Sequence, residues 1–145
     1  MSYTVKNVKS FQGREGDGFK CSLYLDGKKI GTVIDTADGG MVDFYLDNGE
    51  KEKLDAHCLT LPKVKSKYFL NGLTVDADIF VSELVSKYEV KQKIKRWCKT
   101  KTVFRLDDDK EDSYNVLKIP FSDKVKEHIL KEYAGKNPII MNEII

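Results

Sequence analysis

The chain has 145 residues and a mass of 16.6 kDa, the size of one domain of ~100–150 residues. Hydrophobic residues make up 41% and charged residues 33%, enough apolar material for a core and too much for a disordered chain. Lys and Arg number 25 against 23 Asp and Glu, and a net charge of +2 argues against a dedicated histone-like binder.

In chain order, the first fifty residues read as β structure. Tyr3 to Lys9 alternates, and Gln12 to Gly18 is a polar, glycine-rich stretch that predicts a flexible hairpin loop. Phe19, Cys21, Leu23 and Leu25 fall on one face of a second strand. Asp26-Gly27 is a strong hairpin signal, because both positions of the tight turn must accept positive φ. Lys29 to Asp35 is the return strand and Ala37 to Gly40 the next turn. Met41 to Leu46 is a fourth strand, with Val42, Phe44 and Leu46 opposite Met41, Asp43 and Tyr45. Such sequential strands form an antiparallel meander.

Residues 48–75 carry less pattern. Gly49 to Asp55 is charged, Leu59, Leu61 and Val64 are spaced like a short buried segment, and Asn71-Gly72 signals a turn. Asp76 or Asp78 is suited to cap a helix. Its apolar stripe is Phe80, Val81, Leu84, Val85 and Tyr88. The stripe then shifts to Val90, Ile94, Trp97 and Cys98, which predicts two short helices or one kinked near 88–91. Phe104 and Leu106 begin a strand, Asp107 to Ser113 an acidic turn, and Val116 to Phe121 its antiparallel partner. Ser122 caps a last helix over 123–134, which buries Val125, Ile129 and Tyr133 and stops at Gly135. Ile139 to Met141 and Ile144-Ile145 form an apolar tail that docks on the body.

The expected fold is therefore a single α+β domain over 1–145. An N-terminal antiparallel meander of about four strands packs against helices, followed by a later β-hairpin and a C-terminal helix. No apolar run approaches the ~20 residues of a membrane helix. The start Met1 to Lys6 lacks the apolar core of a signal peptide, so a cytoplasmic protein with no membrane contact is expected.

Three cysteines, Cys21, Cys58 and Cys98, are odd in number and widely spaced, which fits a reducing compartment. Only His57 and Cys58 are adjacent soft ligands, too few for a zinc site, and no metal is assigned. A nucleophilic pair of Cys58 with His128 has no local support. Asp17 with Asp26-Gly27-Lys28 has the composition of a metal-nuclease motif, but Asp26-Gly27 is better explained as a turn. Started at Asp107, a calcium loop would need Gly and Glu where Asp112 and Lys118 stand. No hydrolase or metalloprotease motif is present, so no catalytic residue and no cofactor are assigned.

Two features point to binding. The first is the glycine stretch, in which Arg14, Gly16 and Gly18 are candidate phosphate contacts. It lacks the strand-to-helix context and the lysine of a nucleotide loop. The second is an uneven charge. Residues 1–50 hold 6 basic and 8 acidic groups, residues 51–105 hold 13 and 6, and residues 106–145 hold 6 and 9. In the basic middle, Lys91, Lys95, Arg96 and Lys99 cluster on one helix side. With Lys63, Lys65 and Lys67 they form a candidate surface for nucleic acid or an acidic partner. A plain solvated helix face explains the same pattern, and only Arg14, Arg96 and Arg105 bring arginine's fork.

The segments Lys9 to Phe19, Leu23 to Gly31, Asp35 to Gly40 and Lys99 to Leu106, with the Asn142-Glu143 ending, resemble small uncharacterised proteins carried by bacteria, prophages and phages. The resemblance carries no activity or catalytic residue. It implies an accessory protein of a mobile element, which typically binds a host protein, including components of antiviral defence. The leading expectation is a non-enzymatic binding protein of this kind, docking a host or phage protein by charge complementarity with exposed aromatics as anchors. The alternatives are a nucleic-acid-binding accessory protein using the basic middle, and a small nucleotide-binding protein or enzyme using the Gly13–Gly18 loop.

Overall fold

In the computed structural model, residues 2–66, 69–110 and 113–145 are described, the stretches 64–66 and 69–73 by their backbone alone. By its own contacts the chain divides into two compact units, Met1–Tyr88 and Glu89–Ile145.

The first unit is built on the meander. Strands β1 (Tyr3–Gly13), β2 (Gly16–Leu25), β3 (Lys28–Asp35) and β4 (Asp43–Leu46) form one antiparallel sheet in that order. The expected loop over 12–18 is not a loop. Gln12 pairs with Asp17 and Gly13 with Gly16, so the strands run on to a two-residue turn at Arg14-Glu15. Main-chain pairing continues where side-chain alternation has already faded. Asp26 and Gly27 make the next turn, with φ of 49° and 84°, as a tight hairpin requires.

One face of the sheet buries Val5, Phe19, Cys21, Leu23 and Val33. Phe44 and Leu46 pack on this core, while Tyr45 of the opposite face is exposed, as is Met41, which precedes β4 rather than starting it. The helices complete it. Helix α1 (Glu50–Leu59) contributes Leu54 and Cys58, and helix α2 (Ala77–Cys98) contributes Ala77, Val81 and Val85.

Helix α1 departs from the sequence expectation. Its buried anchors, Leu54 and Cys58, are two residues four apart, and most of the rest is charged, so no stripe announces it. Glu50 and Glu52 favour the positive helix start, and Lys51 bonds Asp55 at 2.9 Å one turn on. Leu59, expected to be buried, is 76% exposed. Val64 lies in a two-stranded hairpin of β5 (Val64–Ser66) and β6 (Phe69–Leu73). Asn71 and Gly72 are part of β6 rather than a turn.

Helix α2 is continuous, not two short helices. Asp76 caps it, accepting from the Ile79 N–H at 2.9 Å, while Asp78 accepts from the Val42 N–H at 3.2 Å. The shift of its apolar stripe falls at Tyr88, where the first unit ends. Val81 and Val85 serve the first core, and Ile94 is buried on another side of the same helix.

In the second unit the expected hairpin gains a third strand. β7 (Thr102–Arg105) lies between β8 (Asn115–Leu117) and β9 (Ile139–Ile140). Helix α3 (Asp123–Glu132) closes the core of Phe104, Ile129 and Ile140, joined by Leu117, Phe121, Val125 and Tyr133. The Ser122 hydroxyl caps α3 through the Val125 N–H, as its sequence position implies. The chain does not stop at Gly135. It takes a 3₁₀ turn over Ala134–Lys136, and Asn137 supplies the left-handed residue before Pro138. Of the tail's apolar side chains Ile140 is buried and Met141 half-buried, while Ile139, Ile144 and Ile145 are exposed. Ile119, expected within a strand, lies beyond β8 and is exposed.

Candidate functional site

The basic face of α2 is set by helix geometry. Lys91, Lys95 and Lys99 repeat every four residues and Arg96 follows Lys95, so the four span an arc of about 140°. All four are exposed, and among the described residues none has a carboxylate within ion-pair distance. From Val90 to Leu106 the chain carries no acidic residue at all. Some lysines elsewhere are paired, among them Lys87 with Glu83, Lys126 with Glu143 and Lys136 with Asp108. Buried Ile94 anchors the opposite side, and the Lys93 ammonium lies 4.7 Å from the centre of the half-buried Trp97 ring. Lys63 is exposed ahead of β5, the Lys65 side chain and Lys67 lie outside the described residues, and the gathered cations are those of the helix.

At the glycine stretch, packing uses the glycines. A side chain at Gly18 would run into the Phe11 ring and the Asp35 carbonyl, and one at Gly13 into Ala37. The Glu15 N–H donates to the Ala37 carbonyl at 2.7 Å. Arg14 and Gly16 are exposed at the turn.

The acidic run after β7 holds its own loop. The Asp109 carboxylate accepts from the Leu106 N–H at 2.9 Å and from the Asn115 amide at 2.8 Å. Asp107 accepts from the Asn137 amide, and Asp108 pairs with Lys136. Asp26 is likewise engaged, its carboxylate taking the Ser2 N–H at 2.8 Å. Among the described residues no group of three or more His, Cys, Asp or Glu side chains is placed to hold a metal ion.

Burial pushes the thiols up, Cys21 to about 11, so all three are protonated near neutrality and poor nucleophiles. Cys58 belongs to the first unit and His128 to the second. The Tyr3 hydroxyl, whose ring meets His57 at a tilt and Phe80 edge-on, is also pushed up, first by burial and then by the negative charge of Glu50. No helix among the described residues is long and apolar enough to cross a membrane.

A second cationic group has no local sequence signature. Lys9, Lys20 and Lys29 are distant in sequence and meet only through strand register. No family model matches the chain, and no curated protein or solved structure is significantly similar to it.

Proposed function

We propose that this chain is a non-enzymatic binding protein that docks an acidic partner protein on the basic face of α2. The observation that carries this reading is the set Lys91, Lys95, Arg96 and Lys99: exposed, on one side of a helix, and without carboxylate partners among the described residues. Such a face attracts a complementary surface and speeds encounter, and it repels basic competitors. Exposed aromatics elsewhere, Tyr45 above all at 63% exposure, are available as anchors. The finer reading, a phage-type inhibitor of a bacterial host or antiviral-defence protein, rests on the resemblance of the segments within 9–40, 99–106 and 142–143.

A second reading, nucleic-acid binding, is favoured by the line of lysines at four-residue spacing, which suits a phosphate backbone. The scarcity of arginine weighs against base readout. One experiment separates them. The tagged protein is expected to retain a single acidic protein from nuclease-treated bacterial lysate. The Lys95→Glu, Arg96→Glu variant is expected to lose it by at least tenfold, about 1.4 kcal/mol. Retention that vanishes on nuclease treatment, together with a gel shift that weakens steeply with salt, would transfer the face to nucleic acid.

A further inference from the structure

Opposite the apolar face of the first sheet, two irregularities in register shape a cavity. In β1, Asn7 and Val8 together oppose Cys21, because Lys6 pairs with Ser22 and Lys9 with Lys20. In β3, Ile30 is the extra residue, because Leu23 pairs with Gly31 and Tyr24 with Lys29. Bulges of this kind bend strands and re-aim side chains. Here they flank a half-enclosed cavity of about 250 Å³. That is slightly below the ~300–1,000 Å³ of sites for drug-sized ligands.

The lining is chemically one-sided. Lys9, Lys20 and Lys29 contribute cations, Asn7, Ser22 and Thr32 an amide and two hydroxyls, and Cys21 completes the lining, with no carboxylate. None of the three lysines is in an ion pair among the described residues. Ser22 is only 7% exposed, a buried hydroxyl on the floor that accepts from the Asn7 amide at a long 3.5 Å. Asn7 itself is held at φ 54°, a conformation rare outside glycine. Above all, Lys9 and Lys20 are direct cross-strand partners. Like charges so placed destabilise a sheet, and an anion between them reverses the sign of the interaction.

We propose that this cavity is a binding site for a small phosphate-bearing anion. Lys9 and Lys20 grip the phosphate from adjacent strands, Lys29 closes the far side, and Asn7, Ser22 and Thr32 supply neutral hydrogen bonds. The shape selects a phosphate group, free or carried by a nucleotide, by several converging donors rather than by one charge. The site is independent of the α2 face and of the partner proposed for it.

The test is titration of the purified full chain with inorganic phosphate, ATP and adenosine at constant ionic strength, read by calorimetry and by thermal unfolding. Phosphate or ATP is expected to bind saturably and to raise Tm with the logarithm of its concentration. Lys20→Gln and Lys9→Gln are each expected to weaken binding at least tenfold. Each is also expected to raise the ligand-free Tm by relieving the repulsion, a sign opposite to that of a merely structural lysine. ATP binding more tightly than phosphate, with adenosine silent, assigns the group to a nucleotide. Equal affinity assigns free phosphate. Three results would overturn the proposal: no heat beyond ionic-strength-matched chloride, wild-type affinity in both lysine variants, or loss of binding on Lys95→Glu with Lys20→Gln unaffected.

Discussion

The two units reach stability by different means. Among the described residues the first has a core of twelve buried side chains, from Tyr3 through Leu23 and Leu54 to Val85, and the second a core of three, Phe104, Ile129 and Ile140. The second compensates with side-chain bonds to the backbone. Asn142 alone accepts from the Val103 N–H at 2.8 Å and donates to the carbonyls of Lys101 at 2.8 Å and Cys98 at 3.3 Å. Thr102, fully buried, donates to the Ile119 carbonyl at 3.0 Å. Where apolar area is scarce, directional polar contacts take over the work of specifying the chain path, because a buried N–H or hydroxyl without a partner is costly.

The strongest way to sharpen this contrast is to open a cavity in the larger core. Leu54 is fully buried between sheet and helices. Leu54→Ala is expected to cost about 2–5 kcal/mol by chemical denaturation, with hydrogen-exchange protection lost first in strands β2 and β3. A cost below ~1 kcal/mol would mean that α1 contributes little to the first core.

Alkaline pH probes the same core. The folded pKa of Cys21 is raised from 9.0 to about 11 by burial, so the native state keeps its proton while the unfolded state loses it. The stabilising effect of that proton is complete below pH 9 and is lost as the pH rises toward 11, by up to roughly 2–3 kcal/mol. Cys58 shifts in the same direction and belongs to the same core. Urea midpoints at pH 8 and pH 10.5 should fall for the wild type and fall less for Cys21→Ala.

Asn142→Ala tests the second unit. It leaves the N–H of the fully buried Val103 without its acceptor. The expected loss is about 1–3 kcal/mol, with exchange accelerating at β7 and leaving the first sheet unchanged. An effect within ~0.5 kcal/mol would show that polar stitching is not what holds this unit.

Legibility in the sequence followed the same divide. The meander could be read because alternation and the Asp26-Gly27 turn are local signals. Its first hairpin was underestimated because glycines that suggest a loop instead admit close neighbours, Phe11 and Ala37. Helix α1 stayed hidden because two anchors, Leu54 and Cys58, make no stripe. The helix cations could be read because they share one element. Lys9, Lys20 and Lys29 could not, since register is a property of paired strands.

By itself, then, the chain determined the strands of its first sheet, the caps of its last two helices and the basic run on α2, since each depends on neighbours within a few residues. Only tertiary structure decided that β7 lies between β8 and β9, that Asn142 closes the second unit, and that three distant lysines line one cavity. Those features arise when separate segments come into register, and no periodicity along one strand or helix encodes which partner it meets.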